Sequence, residues 1–245
     1  MKWQRWMGLV VALGLVVSWT TWSQAAAEDD GSITGKVFFK GEVKKRTRIK
    51  FGADPVCAAL HTKPAGKPAG TEKFLYNKSS ETLRNVIVFV KSGLGDATYP
   101  APAASVTLDQ SGCQYKPHIL TMQTGQTLIV KNSDETMHNI NGKPKKNSPF
   151  NFGQPKAGMT KELSFKRAEI FKVKCDVHSW MNAYIGLFDH PFYSVTGKDG
   201  TYTISGLPPG EYEIAAWHEA FGEVLTQKVT VAIGAPTEAD LTIED

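Results

Sequence analysis

The chain has 245 residues, with 28 Lys and Arg against 24 Asp and Glu and a formal charge of +4. That length suffices for one large or two ordinary domains, and so small a charge gives no reason to expect a nucleic-acid partner. Only three cysteines and six histidines are present, so each narrows the chemistry.

Lys2 and Arg5 precede an apolar stretch from Trp6 to about Trp22, and Ala25-Ala26-Ala27 follows before Glu28. A charged start, an apolar centre and a small-residue cleavage site describe a secretory signal peptide over residues 1–27. The alternative is an uncleaved anchor, since the apolar stretch approaches spanning length. The acidic Glu28-Asp29-Asp30 directly after the alanines favours cleavage. The expected location is the periplasm or outside the cell, with membrane contact only through an uncleaved signal. Removing residues 1–27 leaves 218 residues and a charge of +2, because Lys2 and Arg5 depart.

An oxidising compartment makes an odd number of cysteines informative. Cys57 and Cys113 can pair in a disulfide, leaving Cys175 as a thiol that a metal could hold as thiolate. Another pairing with a leftover thiol is the alternative.

Helical periodicity is nearly absent. Short β-branched and aromatic runs recur at Ile33–Phe39, Asn85–Lys91, Ser105–Leu108, Ile119–Met122, Thr127–Lys131, Glu162–Phe165, Ile170–Lys174 and Tyr184–Phe188, broken by Gly, Pro, Asn and Asp. Such spacing predicts an all-β protein built of sandwiches. Asp54–Leu60 is the one short stretch with helical character. Pro64–Gly70 and Gly93–Ala104 read as loops. Between residues 143 and 174 fall nine cations, Lys143, Lys145, Lys146, Lys156, Lys161, Lys166, Arg167, Lys172 and Lys174, with few acids. They form either a solvated face or a docking surface for an acidic partner. Beyond His190-Pro191, turns at Lys198-Asp199-Gly200 and Leu207-Pro208-Pro209-Gly210 separate further strands, of which Glu211–Trp217 alternates, and Thr226–Ala232 and Ala239–Ile243 close the chain.

The segments Gly197-Lys198-Asp199-Gly200-Thr201-Tyr202 and Gly206-Leu207-Pro208-Pro209-Gly210-Glu211-Tyr212 resemble those of carboxypeptidase regulatory-like, transthyretin-like sandwiches, a class shared with carbohydrate-binding-like modules. The resemblance implies a fold and little about function. Modules of this kind open with strands like Ile33–Phe39 and Asn85–Val90, both of which precede the central region. The expected organisation is a sandwich in two parts, residues 28–103 and 190–245, with a separate domain at 104–189 either inserted or simply following in sequence.

That central region carries the chemistry. Met137-His138-Asn139-Ile140 is followed by Lys174-Cys175-Asp176-Val177-His178-Ser179-Trp180-Met181. Thiolate, imidazole and thioether are soft to borderline ligands that suit copper in both Cu(I) and Cu(II). A Cys-x2-His-x2-Met loop supplies three of them, and His138, read as the end of a buried strand, supplies the fourth. Residues 104–188 resemble the cupredoxin, or blue copper, family, with the ligand-loop spacing of amicyanin. The resemblance rests on Leu120-x-Met122, Gly125-Gln126, Leu128-Ile129-Val130, Asn132, His138-Asn139 and the ligand loop. It implies a cupredoxin Greek-key sandwich holding one copper ion through His138, Cys175, His178 and Met181. It also implies that Asn139 braces the ligand loop near the thiolate, and that electrons pass through an exposed edge of His178. Ser179 and Trp180 depart from amicyanin-like loops, which often carry Pro after the second histidine.

The other histidines read differently. His118 is expected to be structural, His61 to lie in a loop, His218 to be a surface or packing residue, and His190 to sit near a domain junction. Trp180 and Tyr184 are expected in core packing, with an apolar docking surface as the alternative. The expected function is one-electron transfer with a periplasmic redox protein, without enzymatic turnover. Multicopper oxidases and nitrite reductases need further histidines, typically in His-x-His pairs, and the chain has none. Competing readings are a carbohydrate- or protein-binding scaffold with a structural or sensory copper site, and copper storage or delivery.

Overall fold

The computed structural model describes residues 30–52, 54–62 and 69–245. The signal peptide expected over residues 1–27 and most of the Pro64–Gly70 loop lie outside the described residues. Strands dominate, as the short β-branched runs require. In chain order they begin with β1 (Gly31–Lys40), the single described helix α1 (Pro55–Thr62), β2 (Leu75–Asn77), β3 (Thr82–Arg84) and β4 (Ile87–Ser92). The central strands are β5 (Val106–Gln110), β6 (Tyr115–Lys116), β7 (Ile119–Gln123), β8 (Leu128–Asn132), β9 (His138–Gly142), β10 (Phe150–Gln154), β11 (Thr160–Leu163), β12 (Glu169–Lys174) and β13 (Asn182–Phe188). The last group is β14 (Tyr193–Val195), β15 (Thr201–Leu207), β16 (Gly210–His218), β17 (Gly222–Val231), β18 (Pro236–Glu238) and β19 (Leu241–Glu244). Among the described residues no helix is long and apolar enough to cross a membrane.

Strand pairing sorts these elements into two sandwiches. β1 pairs with β3 and β15 antiparallel and with β18 and β19 parallel, while β4 lies between β14 and β16, and β16 pairs with β17. The strands between residues 106 and 188 pair among themselves, in the orders β10-β9-β12-β13-β7 and β11-β8-β5-β6. One all-β sandwich is therefore threaded, in sequence, between the two parts of another. The left-handed φ of +77° at Gly200 illustrates how tightly the outer sandwich closes. A Cβ there would lie 2.2 Å from the Thr82 side chain, so the turn between β14 and β15 requires glycine.

Each sandwich has its own core. Ile33, Val37, Leu83, Val88, Ile204, Leu207 and Ile214 centre the outer one. Leu108, Met122, Leu128, Val130, Ile140, Val173 and Ile185 centre the inner one. A third cluster of Ile87, Ile119 and Phe188 seals the junction, with Phe89 against Phe188 and Tyr184 against Trp217 at about 5 Å between ring centres. Tyr184 thus serves packing. The expectation that residues 28–103 belong to the outer sandwich needs correction on one point. Ile49, Phe51 and Cys57 pack in the inner core with Cys175, because α1 and the chain before it lie over the inner sandwich.

α1 forms where an N-cap and Pro coincide. Asp54 Oδ1 accepts the amide hydrogens of Val56 and Cys57 at 2.8 and 3.0 Å, and Pro55 occupies the first helical position. The helix starts one residue later than its sequence suggests and ends two residues further on.

Candidate metal centre

β9 begins with His138, so this residue opens a strand, whereas the sequence placed it at a strand end. The correction has a local cause. Asn132 closes β8, its Oδ1 accepts the Asp134 amide, and residues 133–137 form the turn that delivers His138 inward. On the other side, the ligand loop runs from the end of β12 to the start of β13. It closes on itself: the Cys175 amide donates to the Met181 carbonyl at 3.0 Å, and the Met181 amide to the His178 carbonyl at 2.9 Å.

These two segments bring His138, Cys175 and His178 together. One donor atom from each lies within 4.8 Å of the others, and all three residues are buried. The two imidazole Nδ1 atoms face each other at 3.0 Å, and Cys175 Sγ lies 3.9 Å from His178 Nδ1. Met181 is 1% exposed and packs in the same core as Cys175. Asn139 reaches the loop from β9, its Oδ1 accepting the Asp176 amide at 2.9 Å. Asp176 turns outward to Lys174, Asn141 and Asn151.

Each histidine has a carboxylate at its far nitrogen. His138 Nε2 lies 2.8 Å from Asp134 Oδ2, and His178 Nε2 lies 3.0 Å from Asp54 Oδ2. Asp134 also accepts the amides of Gly112 and Cys113, and Asp54 accepts the Thr136 hydroxyl. Burial opposes ionisation of Asp54, yet the Cys57 amide, Thr136 and His178 hold its carboxyl down at about 2. Burial likewise opposes charge on His138, but Asp134 and Cys175 push it up to about 9. For Cys175, burial is outweighed by His138 and by the backbone amides of His178, Asn139 and Val177, which keep the thiol below its ordinary value.

Cys57 and Cys113 are disulfide-bonded, leaving Cys175 as the free, buried thiol. Cys57 Sγ lies 3.9 Å from His178 Nε2, so α1 and the disulfide cover the outer edge of that imidazole. An exposed edge of His178 was expected from the cupredoxin resemblance. This is overturned: the residue is 2% exposed because Asp54 and Cys57 sit upon it. Trp180 packs on the inner core and donates to the Cys113 carbonyl.

None of the remaining histidines joins this cluster. His61, expected in a loop, lies in the last turn of α1, where it stacks on Phe51 and bonds the Gly112 carbonyl. His118 lies buried at the junction against Glu219. His190 accepts the Phe192 amide and stacks on the Phe192 ring. His218 is fully buried beside Phe74 and Phe221, a packing residue and not a surface one.

The donor set fits a transition-metal ion. Metal–nitrogen bonds of about 2.0–2.1 Å and a metal–sulfur bond of about 2.3 Å are compatible with one ion among atoms so spaced. One thiolate, two imidazoles and a nearby thioether suit copper above harder ions. Copper bound there would supply one-electron exchange. The chain itself holds the thiolate ready, fixes both rings and excludes water.

The fold and site thus define an all-β protein of two sandwiches with a buried Cys-His-His cluster in the inner one. A carboxypeptidase regulatory-like domain model matches residues 182–244, from β13 through the C-terminal part of the outer sandwich. No curated protein matches the chain. Solved structures similar to it include a copper-containing nitrite reductase from Thermus scotoductus SA-01, at 18% identity and a TM-score of 0.31, covering 40% of this chain and 25% of that one. The chain thus spans about a quarter of the nitrite reductase. A purple cupredoxin from Nitrosopumilus maritimus matches at 20% identity and a TM-score of 0.29, covering 34% of this chain and all of its own. A Cu(I) form of an amicyanin mutant matches at 16% identity and a TM-score of 0.32, covering 41% of this chain and 98% of its own.

Sequence reasoning missed Asp54, Asp134 and Thr136. Asp134 stands four residues before His138 in a turn, and Asp54 carries the N-cap pattern Asp-Pro-x-Cys. Neither local pattern reveals that its carboxylate meets a histidine.

Proposed function

We propose that this chain is an exported, mononuclear copper protein that carries one electron to and from a periplasmic redox partner, without transforming a substrate. The observation that carries this reading is the buried convergence of His138 Nδ1, His178 Nδ1 and Cys175 Sγ. His138, Cys175 and His178 are the strong ligands and Met181 the weak one. An unpaired thiol in an oxidising compartment is held from oxidation by the ion it binds. The nine cations between residues 143 and 174 are all exposed, a charge excess that complements an acidic partner.

One observation favours a second reading. With the His178 edge covered, direct contact between that ring and a partner is blocked, and a closed thiolate–thioether site also suits copper storage or delivery. Adding Cu(II) to the purified mature protein tests both. An intense thiolate-to-copper band that bleaches with ascorbate and returns with oxidant supports electron transfer. A protein that binds Cu(I) tightly but shows no reversible band supports storage. Absence of copper binding removes both readings.

A further inference from the structure

Both candidate ligand histidines are held from behind by carboxylates that come from outside the ligand loop. Asp134 lies in the turn before β9, and Asp54 arrives on the segment that caps α1. The two arrangements are alike although their origins differ. In each, an acceptor-only carboxylate oxygen meets Nε2, at 2.8 Å for His138 and 3.0 Å for His178, and Nδ1 turns to the centre.

A carboxylate oxygen accepts only, so the nitrogen facing it carries the hydrogen. That turns Nδ1 of each ring inward as the nitrogen left for a metal to take. Carboxylate–histidine–metal relays of this kind orient the ring and raise its basicity. The charge matters as well. With a metal ion on the two rings, the Cys175 thiolate and the Asp54 and Asp134 carboxylates place three negative charges around it in a buried setting. Such a field favours the more highly charged ion. Neither carboxylate is there for a lysine or arginine: their remaining partners are backbone amides and the Thr136 hydroxyl.

We propose that Asp54 and Asp134 are positioning residues of a copper site, setting the Nδ1 ligation of His178 and His138 and biasing the centre towards Cu(II). The inference rests on the copper reading of the preceding subsection. It makes the α1 segment, which lies over the inner sandwich, a working part of the metal centre, since Asp54 and Cys57 approach the ligand from there.

The test is the reduction potential of the copper-loaded, mature full chain and its Asp54→Asn and Asp134→Asn variants, with Thr136→Val as control. Each Asn variant removes one negative charge with little change of volume. Each is expected to raise the potential by about 59 mV or more, equivalent to a tenfold shift of the one-electron equilibrium. Thr136→Val removes a partner of Asp54 but leaves the Asp54–His178 pair, and its potential should stay close to that of the wild type. Wild-type potentials in both Asn variants, with the thiolate–copper band intact, would overturn the proposal and leave the copper reading standing. Absence of that band in the wild type would instead overturn the copper reading. A variant that does not fold is replaced by nitrogen NMR of the metal-free wild-type protein, which reads the His178 tautomer directly. Hydrogen on Nε2 supports the proposal, and hydrogen on Nδ1 alone refutes it.

Discussion

His118, just before β7 of the inner sandwich, and Glu219, in the β16–β17 turn of the outer one, form a buried hydrogen-bonded pair whose side chains are 6% and 4% exposed. His118 Nδ1 also meets the Asn182 carbonyl at 3.1 Å, so both ring nitrogens have acceptors. The pair ties the start of β13 to the outer sandwich beside the Tyr184–Trp217 contact. Removing one partner of a buried pair leaves the other unsatisfied, at roughly 3–5 kcal/mol. Glu219→Ala should therefore lower the denaturant midpoint and separate the unfolding of the two sandwiches. A single transition at the wild-type midpoint would show that the pair contributes nothing.

The Cys57–Cys113 bridge closes a loop across 56 residues and fastens α1 over His178. Replacing both cysteines with serine should cost about 2–5 kcal/mol. It should also expose the His178 edge, giving faster hydrogen exchange in α1. Urea unfolding checks the first effect and exchange mass spectrometry the second. Unchanged values for both would mean that packing of Ile49 and Phe51 alone holds the segment.

His218 offers a pH signature. Burial, helped by His118 and Lys73 and opposed by Glu219, pushes it down to about 4. Its Nδ1 accepts the Ala220 amide, and its Nε2 has no partner. An unfolded chain takes up the proton near 6.5, whereas the folded protein resists until about 4. The stability from neutral His218 is thus fully present above 6.5 and is lost as pH falls through this window, by up to roughly 3 kcal/mol. His218→Phe, in an aromatic setting with Phe74 and Phe221, should flatten the stability profile between pH 6.5 and 4. An identical slope in mutant and wild type would rule out this source.

Cys175→Ser should abolish the thiolate–copper band while the fold remains, because the thiol is not part of the disulfide. Circular dichroism and visible absorption together decide this. A variant that keeps the band would place the thiolate elsewhere, and loss of folding would point to a packing role.

Met181 separates ligand from filler. Met181→Leu conserves core volume and should cost less than about 1.5 kcal/mol. Its removal of the thioether should change the absorption spectrum and the potential. A spectrum identical to the wild type would make Met181 a core residue only.

Much was legible from the chain alone. Alternating β-branched runs and Gly/Pro turns predict sandwiches because their period and punctuation are local. The spacing of Cys175, His178 and Met181 is legible for the same reason: one tight loop brings them together whatever surrounds it. The short helical stretch beginning at Asp54 was also readable, to within one residue at its start. What only the tertiary structure decided is what meets across long separations. Asp54 lies 124 residues from His178, and nothing local to either predicts that one covers the other. The burial of His178, the carboxylate of Asp54 behind it and the His118–Glu219 tie all arise where separate segments pack, and packing of this kind leaves no periodic trace in sequence. The residues that form the candidate centre could be named from the sequence, whereas its enclosure and charge follow from the way one sandwich is folded through another.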